Sequence, residues 1–205
     1  MARIRLTPAA RREQLLGLGA QLLSTRTLDE LSIDLLAEEA GISRGLLYHY
    51  FANKLEFHRA IVGRVIRDLV AATAPVDLDD PLERLRASME AYVDFVSANE
   101  AGYRSVIQAA HGGDPELKAA YDEGRAALLN RMFESPVPVG PSETTMERLG
   151  FADTPAARLV VHGWASMAES MVLDWLSEPN GVTREQMLDV LIAALPGALL
   201  AASNL

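Results

Sequence analysis

LSIDLLAEEAGISRGLLYHYFANK, residues 31–54, is the stretch on which the fold of this chain depends. Ser32 can cap a first helix in which apolar residues recur at helical spacing. Gly41 can end that helix, because glycine tolerates the positive φ that a short turn demands. Ser43 can then cap a second helix. The pattern therefore predicts two short helices that cross closely over a tight turn.

The second predicted helix has an inward and an outward face. Leu47 and Phe51 belong to an apolar inward stripe, whereas Arg44, Gly45 and Tyr48 lie on the opposite face. A cation, a glycine that lets the backbone approach and a flat amphipathic ring suit the major groove of DNA. The simpler alternative is a pair of packed helices without a DNA-binding role, since caps and leucine stripes occur in any helical bundle.

The segment GISRGLLYHYFANKLEF, residues 41–57, resembles the DNA-binding segment of the TetR family of one-component transcriptional regulators. The resemblance is specific over about residues 7–64 and, as in that family, lies near the N-terminus. It implies base contacts by Arg44, Gly45 and Tyr48. It also implies phosphate contacts by the remaining polar residues of the motif, which are Ser32, Ser43, His49, Tyr50 and Lys54.

Leu46 departs from the family pattern, which often has a small residue or threonine at this position. The leucine removes a hydroxyl that could bind phosphate, and its side chain can instead contact the methyl group of a base. The sequence of the operator therefore does not follow from the family.

The charge of the chain is divided unevenly. Residues 1–60 hold 8 Lys or Arg against 7 Asp or Glu, whereas residues 61–205 hold 11 against 21. We expect this acidic excess to lie away from the DNA-binding surface, where it keeps the remainder of the protein off the phosphates. An acidic surface that is simply solvated explains the same split.

Composition places the chain among soluble globular proteins. Of its 205 residues, 49% are hydrophobic and 23% are charged, and none is cysteine, which excludes disulfides and thiolate chemistry. No signal peptide is expected at the N-terminus. The apolar run of residues 190–202 is broken by Pro196 and is expected to be too short to span a bilayer. We therefore expect a cytoplasmic protein without a membrane partner.

The elements that flank the motif are also predicted to be helical. Thr7 and Pro8 are typical of a helix start, and this helix would be the third member of the DNA-binding domain. Asn53 and Glu56 have the spacing of a capping box for the helix that follows the motif. Upstream, Arg3 and Arg5 lie on an arm that can reach DNA, with a solvated tail as the alternative. We place the DNA-binding domain at residues 1–62.

Residues 63–205 are predicted to form a second, ligand-binding and dimerisation domain, giving an all-α protein of about nine helices. Residues 135–145 contain three prolines and are expected to form a loop. The last two long helices are apolar on more than one side, so one side is expected to pack in its own domain and the other against a second subunit. The alternative is a fully buried core helix in a monomer.

No catalytic constellation is recognisable. The four histidines, at positions 49, 58, 111 and 162, show no metal-ligand spacing, and no nucleophile elbow or complete dinucleotide fingerprint is present. We expect no cofactor and no enzymatic activity. A small helical enzyme stays open only if titratable groups converge in the second domain.

The resemblance further implies a small-molecule effector bound inside the second domain. Candidate residues combine aromatic rings, thioethers and a few polar tips. They are Tyr92, Phe95, Tyr103, Gln108, Tyr121, Arg125, Met132, His162, Met167 and Met171. The same residue types at helical spacing are also typical of a core. The expected function is thus a homodimeric regulator, a repressor that an effector releases from a palindromic double-stranded operator. The alternative is a dimeric helical interaction protein that does not bind DNA.

Overall fold

A computed structural model describes residues 7–74, 76, 78–134 and 144–203. These residues form ten helices and no strand, which confirms the all-α prediction. The helices are α1 Pro8–Leu23, α2 Ile33–Ala40, α3 Arg44–Tyr50, α4 Lys54–Ala72, α5 Pro81–Ala98, α6 Glu100–His111, α7 Pro115–Asn130, α8 Thr145–Arg148, α9 Pro155–Ser177 and α10 Arg184–Ala202. Arg3, Arg5 and residues 135–143 of the predicted loop lie outside the described residues.

Side-chain caps begin several helices where the sequence predicts them. The Thr7 hydroxyl accepts from the N–H of Ala10 at 3.2 Å, and the Thr154 hydroxyl accepts from Ala157 at 3.1 Å. Thr183 and Gln186 form a complete capping box at the start of α10. Each cap satisfies a backbone donor that the first helical turn cannot satisfy itself.

The helices group into two compact units. The first comprises residues up to Asp68 together with Ala98–Gly124, and the second comprises Leu69–Ser97 and the residues from Arg125 onward. Because the first unit includes α6, this grouping does not test the domain boundary predicted at residue 62, which stays a prediction.

In the first unit, α6 lies against the end of α1. An asparagine with a glycine three residues later, at positions 99 and 102, is typical of a break between helices, but α6 begins at Glu100 and Gly102 lies inside it. A side chain at Gly102 would meet the Leu23 carbonyl oxygen, which is 2.1 Å from the position of an added Cβ. One turn later, the Ser105 hydroxyl accepts from the N–H of Leu28 at 2.6 Å. Gly102 is therefore required by close packing rather than by a chain break.

In the second unit, α9 packs on α10 along a buried face. The indole N–H of Trp164 donates to the Leu191 carbonyl at 2.8 Å, and Val161, Leu191 and Leu195 are completely buried. The opposite faces of both helices are solvent-exposed in the single chain. There Leu159, Val190 and Leu200 are 74%, 53% and 62% exposed. This pattern confirms that both helices are apolar on more than one side.

The last helix continues through Pro196 instead of ending there. Counted from Arg184, α10 is long and apolar enough to cross a membrane by length and composition alone, contrary to the expectation from residues 190–202. About a third of that stretch is buried in the single chain, and this buried face packs on α9.

Candidate DNA-binding site

The turn between α2 and α3 has the geometry that the sequence predicts. The Ser32 hydroxyl accepts from Leu35 N–H at 3.0 Å and caps α2, and the Ser43 hydroxyl accepts from Leu46 N–H at 3.3 Å and caps α3. Gly41 has φ +62°. This left-handed conformation costs glycine little and lets the chain reverse within a few residues.

The two faces of α3 differ as predicted. Leu47 is fully buried, and the Phe51 ring after the helix contacts the Phe57 ring edge-on, with 5.3 Å between centroids. On the outward face, Tyr48 is 47% exposed and Leu46 is 39% exposed. Gly45 is exposed as well, and a Cβ added to it would have no atom within 4 Å. Packing inside the chain therefore does not require a glycine at this position.

Arg44, the first residue of α3, is exposed and forms an ion pair. Its Nε contacts a carboxylate oxygen of Asp34 in the first turn of α2. The sequence did not single out Asp34, and the charge distribution placed the acidic excess elsewhere. No local signal could have identified the pair, because it depends on how α2 and α3 cross.

The residues predicted to contact phosphate lie on α3 and at the N-terminal ends of α2, α3 and α4. His49 is exposed, Tyr50 is half-buried, and their rings pack edge-on with 5.6 Å between centroids. Lys54 opens α4, and its Nζ donates to the Asp29 carbonyl at 3.4 Å. The capping hydroxyls of Ser32 and Ser43 accept backbone bonds, so each O–H stays free to donate. Asn53 caps α4 through Glu56 N–H at 2.8 Å, while the Glu56 carboxylate accepts from Ala52 N–H.

A buried histidine joins α4 to the start of the motif. The Nε2–H of His58 donates to the Leu31 carbonyl at 2.8 Å, and the side chain is buried beside Phe57. Burial lowers the pKa of His58 below its ordinary value of 6.5, against the opposing effect of the Leu31 hydrogen bond. Nearby Lys54 lowers the pKa further, and Asp29 raises it. The native state therefore favours the neutral ring.

We expect acid to destabilise the protein partly through His58. Below pH 6.5 the unfolded chain protonates this ring while the folded protein resists, so the free energy of unfolding falls as pH falls towards the folded pKa. Chemical denaturation between pH 7.5 and 5.5 measures the slope. His58→Gln should flatten it, because the ring whose protonation opposes folding is then absent. Equal slopes for wild type and His58→Gln would contradict the expectation.

The predicted effector-binding residues fall in both units. Tyr103, Gln108 and Tyr121 belong to the first unit, and the other seven belong to the second. Within the second, Arg125 donates to the His162 carbonyl at 3.1 Å and to the Ser166 hydroxyl at 2.6 Å. Its Nη1 also lies 3.7 Å from the Glu169 carboxylate. The structure thus places Arg125 against α9, where Glu169 forms an ion pair with its guanidinium.

The other candidates of the second unit differ in exposure. His162 and Met167 are exposed on α9, Tyr92 is buried, and Phe95, Met132 and Met171 are intermediate. A surface pocket of about 470 Å³ lies elsewhere in this unit and includes none of them. It is lined by Phe151, Ala152, Thr154, Pro155, Ala156, Ala157, Leu199, Ala202 and Ser203. Across the described ranges, no group of three or more His, Asp or Glu is arranged to hold a metal ion.

Comparison with known proteins gives consistent matches. Residues 15–61 match the family model described as bacterial regulatory proteins, tetR family, and residues 81–195 match the tetracyclin repressor-like C-terminal domain. The HTH-type transcriptional activator FasR of Mycolicibacterium smegmatis is 24% identical over 187 residues, covering 90% of this chain and 81% of that protein. The regulator BetI of Stenotrophomonas maltophilia is 28% identical over 174 residues, covering 81% and 80%.

A solved structure agrees with the sequence matches. A tetR-family transcriptional regulator from Streptomyces coelicolor superposes with a TM-score of 0.78 at 29% identity, covering 97% of this chain and 84% of that one. These relatives are transcriptional regulators, not enzymes. The C-terminal model alone spans more than half of the chain. The chain therefore belongs to the TetR family of DNA-binding helix-turn-helix transcriptional regulators.

Proposed function

We propose that this protein binds a palindromic operator as a two-fold homodimer, with one α3 in each half-site, and represses transcription until an effector releases it. The observation that carries the proposal is the outward face of α3, where Arg44, Gly45 and Tyr48 are exposed while Leu47 is buried. An arginine fork matches guanine O6 and N7, and the open Gly45 lets bases approach the backbone. The exposed Leu46 suits a thymine methyl group.

Arg44→Ala and Lys54→Ala should weaken binding in different ways. Arg44→Ala should cost about 1 to 3 kcal/mol and relax the preference at one base position, because a bidentate base contact is lost. Lys54→Ala should weaken binding to all sequences similarly, because a phosphate contact is lost. For the same reason, the slope of log affinity against log salt concentration should become shallower by about 1 per half-site. Footprinting and fluorescence anisotropy on selected and random duplexes measure both effects.

Arg67→Ala is the matched control for these variants. Arg67 is an exposed cation about 20 Å further along α4 than Lys54, at 1.5 Å per residue, so its loss should change binding little. Equal losses on selected and random DNA for Arg44→Ala would exclude a base-recognition role for this residue.

The outward faces of α9 and α10 support the proposed dimer. Leu159, Gly163 and Met167 form one exposed stripe, and Val190 and Leu200 belong to another. Gly163 has no atom within 4 Å of an added Cβ, which leaves room for a partner helix to approach closely. Pairing these faces across a two-fold axis would bury both stripes in a four-helix interface.

Control by an effector is proposed for the second unit, where Arg125 is held by α9. Two conformations of the dimer would differ in the distance between their α3 helices. A ligand can change DNA affinity only if it binds one of these conformations more tightly than the other. Thermal-shift screening against lipophilic acids, antibiotics and acyl thioesters tests this control, followed by DNA binding with each stabilising compound. Stabilisation that leaves operator affinity unchanged would argue against it.

The direction of regulation and the compartment complete the proposal. The name of FasR describes that protein as an activator, so repression here needs its own test. A reporter placed behind the selected operator should be transcribed more strongly when the regulator is absent. We place the protein in the cytoplasm, where chromosomal DNA is accessible.

A further inference from the structure

The ion pair between Arg44 and Asp34 lies on the surface that would face DNA. The Nε of Arg44 meets a carboxylate oxygen of Asp34, and both side chains are more than half exposed. Ion pairs between exposed groups contribute little to stability, because water solvates the separated charges well. The pair therefore has little value for the fold itself, and Asp34 already has a helical role in the first turn of α2.

The atom that Asp34 engages leaves the rest of the guanidinium available. Arginine has five N–H donors, one on Nε and four on the two terminal nitrogens. Guanine presents O6 and N7 side by side, and the terminal nitrogens can satisfy both at once. A carboxylate paired with Nε restricts the orientations of the guanidinium and leaves its four terminal N–H donors for a base. Holding a long side chain in one orientation reduces the entropy lost on binding.

We propose that Asp34 is a positioning residue for base recognition: through its ion pair with the Nε of Arg44, it restrains the guanidinium so that the terminal nitrogens can meet a guanine, and it sharpens the preference for that base. This inference rests on the proposed function, specifically on base contact by Arg44. Electrostatics alone gives an opposite expectation. A carboxylate beside DNA repels phosphates, so its removal should tighten binding to every duplex.

Binding profiles distinguish the two effects. The probes are a palindromic duplex enriched from a random library by the full-length wild-type protein, the same duplex with each G·C pair replaced in turn by A·T, and a random duplex. Asp34→Ala should reduce the guanine preference at one position of each half-site by roughly twofold to fivefold, in line with the small energy of an exposed ion pair. Its affinity for the random duplex should be unchanged or higher. Asp34→Glu, which keeps a carboxylate, should restore part of the preference.

Two further variants isolate the interaction. Glu38→Ala removes an exposed acid one turn later on α2 and should shift all affinities by the same factor, without changing the base profile. In an Arg44→Ala background, Asp34→Ala should cause no additional loss of preference, because the residue it positions is absent. Unfolding temperatures of all variants, measured by circular dichroism, should match that of the wild type within a few degrees.

The outcomes separate this inference from the proposed function. If Arg44→Ala loses the guanine preference but Asp34→Ala keeps it and binds all duplexes more tightly, Asp34 only repels DNA and the inference is wrong. If the wild type enriches no duplex at all, the proposed function itself fails, and the inference fails with it.

Discussion

Replacing Leu159 and Val190 together with glutamate will convert the proposed dimer into a monomer and lower its affinity for the operator by roughly 100-fold or more. Both side chains are more than half exposed in the single chain, so the substitution leaves its core intact. In a two-fold interface each glutamate would be buried either near the equivalent glutamate of the second subunit or against an apolar surface, and both arrangements are costly. A monomer loses the effective concentration that links two half-sites, typically a factor of 10² to 10⁴.

Sedimentation and fluorescence anisotropy measure the two consequences on the same samples. Leu82→Glu is the matched control, since it places the same charge at an exposed leucine of α5, outside both stripes. That variant should remain dimeric and bind nearly as the wild type does. A double variant that stays dimeric, or a monomer with wild-type operator affinity, would contradict the proposed assembly.

Gly102→Ala will destabilise the protein by about 2 kcal/mol, although alanine is the better helix former. The added Cβ would lie 2.1 Å from the Leu23 carbonyl oxygen and 2.6 Å from Leu23 Cγ. Because a backbone oxygen cannot rotate away as a side chain can, α6 must move off α1. That movement also strains the hydrogen bond between Ser105 and Leu28. For a chain of this size the midpoint of thermal unfolding should fall by roughly 5 °C.

Gly63→Ala provides the comparison on α4. Its nearest neighbour is a terminal nitrogen of Arg67, 3.5 Å from an added Cβ, and this side chain can move. Alanine should therefore be neutral there or stabilise by up to about 1 kcal/mol. Both variants are compared by circular dichroism at one protein concentration, because dimerisation makes stability depend on concentration. Equal midpoints for the two variants would show that α6 does not depend on close contact with α1.

Helix starts could be predicted from sequence because the physics of a cap is local. The hydroxyls of Thr7, Ser32 and Ser43 accept from backbone N–H groups three residues ahead, so the information lies within one turn. Gly102 shows the opposite case. Its role depends on Leu23, which is far away in sequence, and local patterns interpret a glycine after Asn99 as a helix end.

The same distinction applies to the candidate site. Helical periodicity was enough to place Arg44 and Tyr48 outward, opposite Leu47. The partnership of Arg44 with Asp34 was not predictable, because it arises from the packing of α2 against α3. On α9, residue type alone suggested that His162 and Met167 bind an effector. Since two faces of that helix are apolar, periodicity could not separate an inner face from one that is exposed in the single chain.

Salt-dependent binding of the full-length protein to its own selected palindromic duplex tests the central claim that α3 presents a DNA-binding surface. Affinity should fall linearly with salt concentration on logarithmic axes, and the selected duplex should be bound roughly 10³-fold or more tightly than a random one. Failure to bind any duplex at low ionic strength, with the protein folded and dimeric, would contradict the claim.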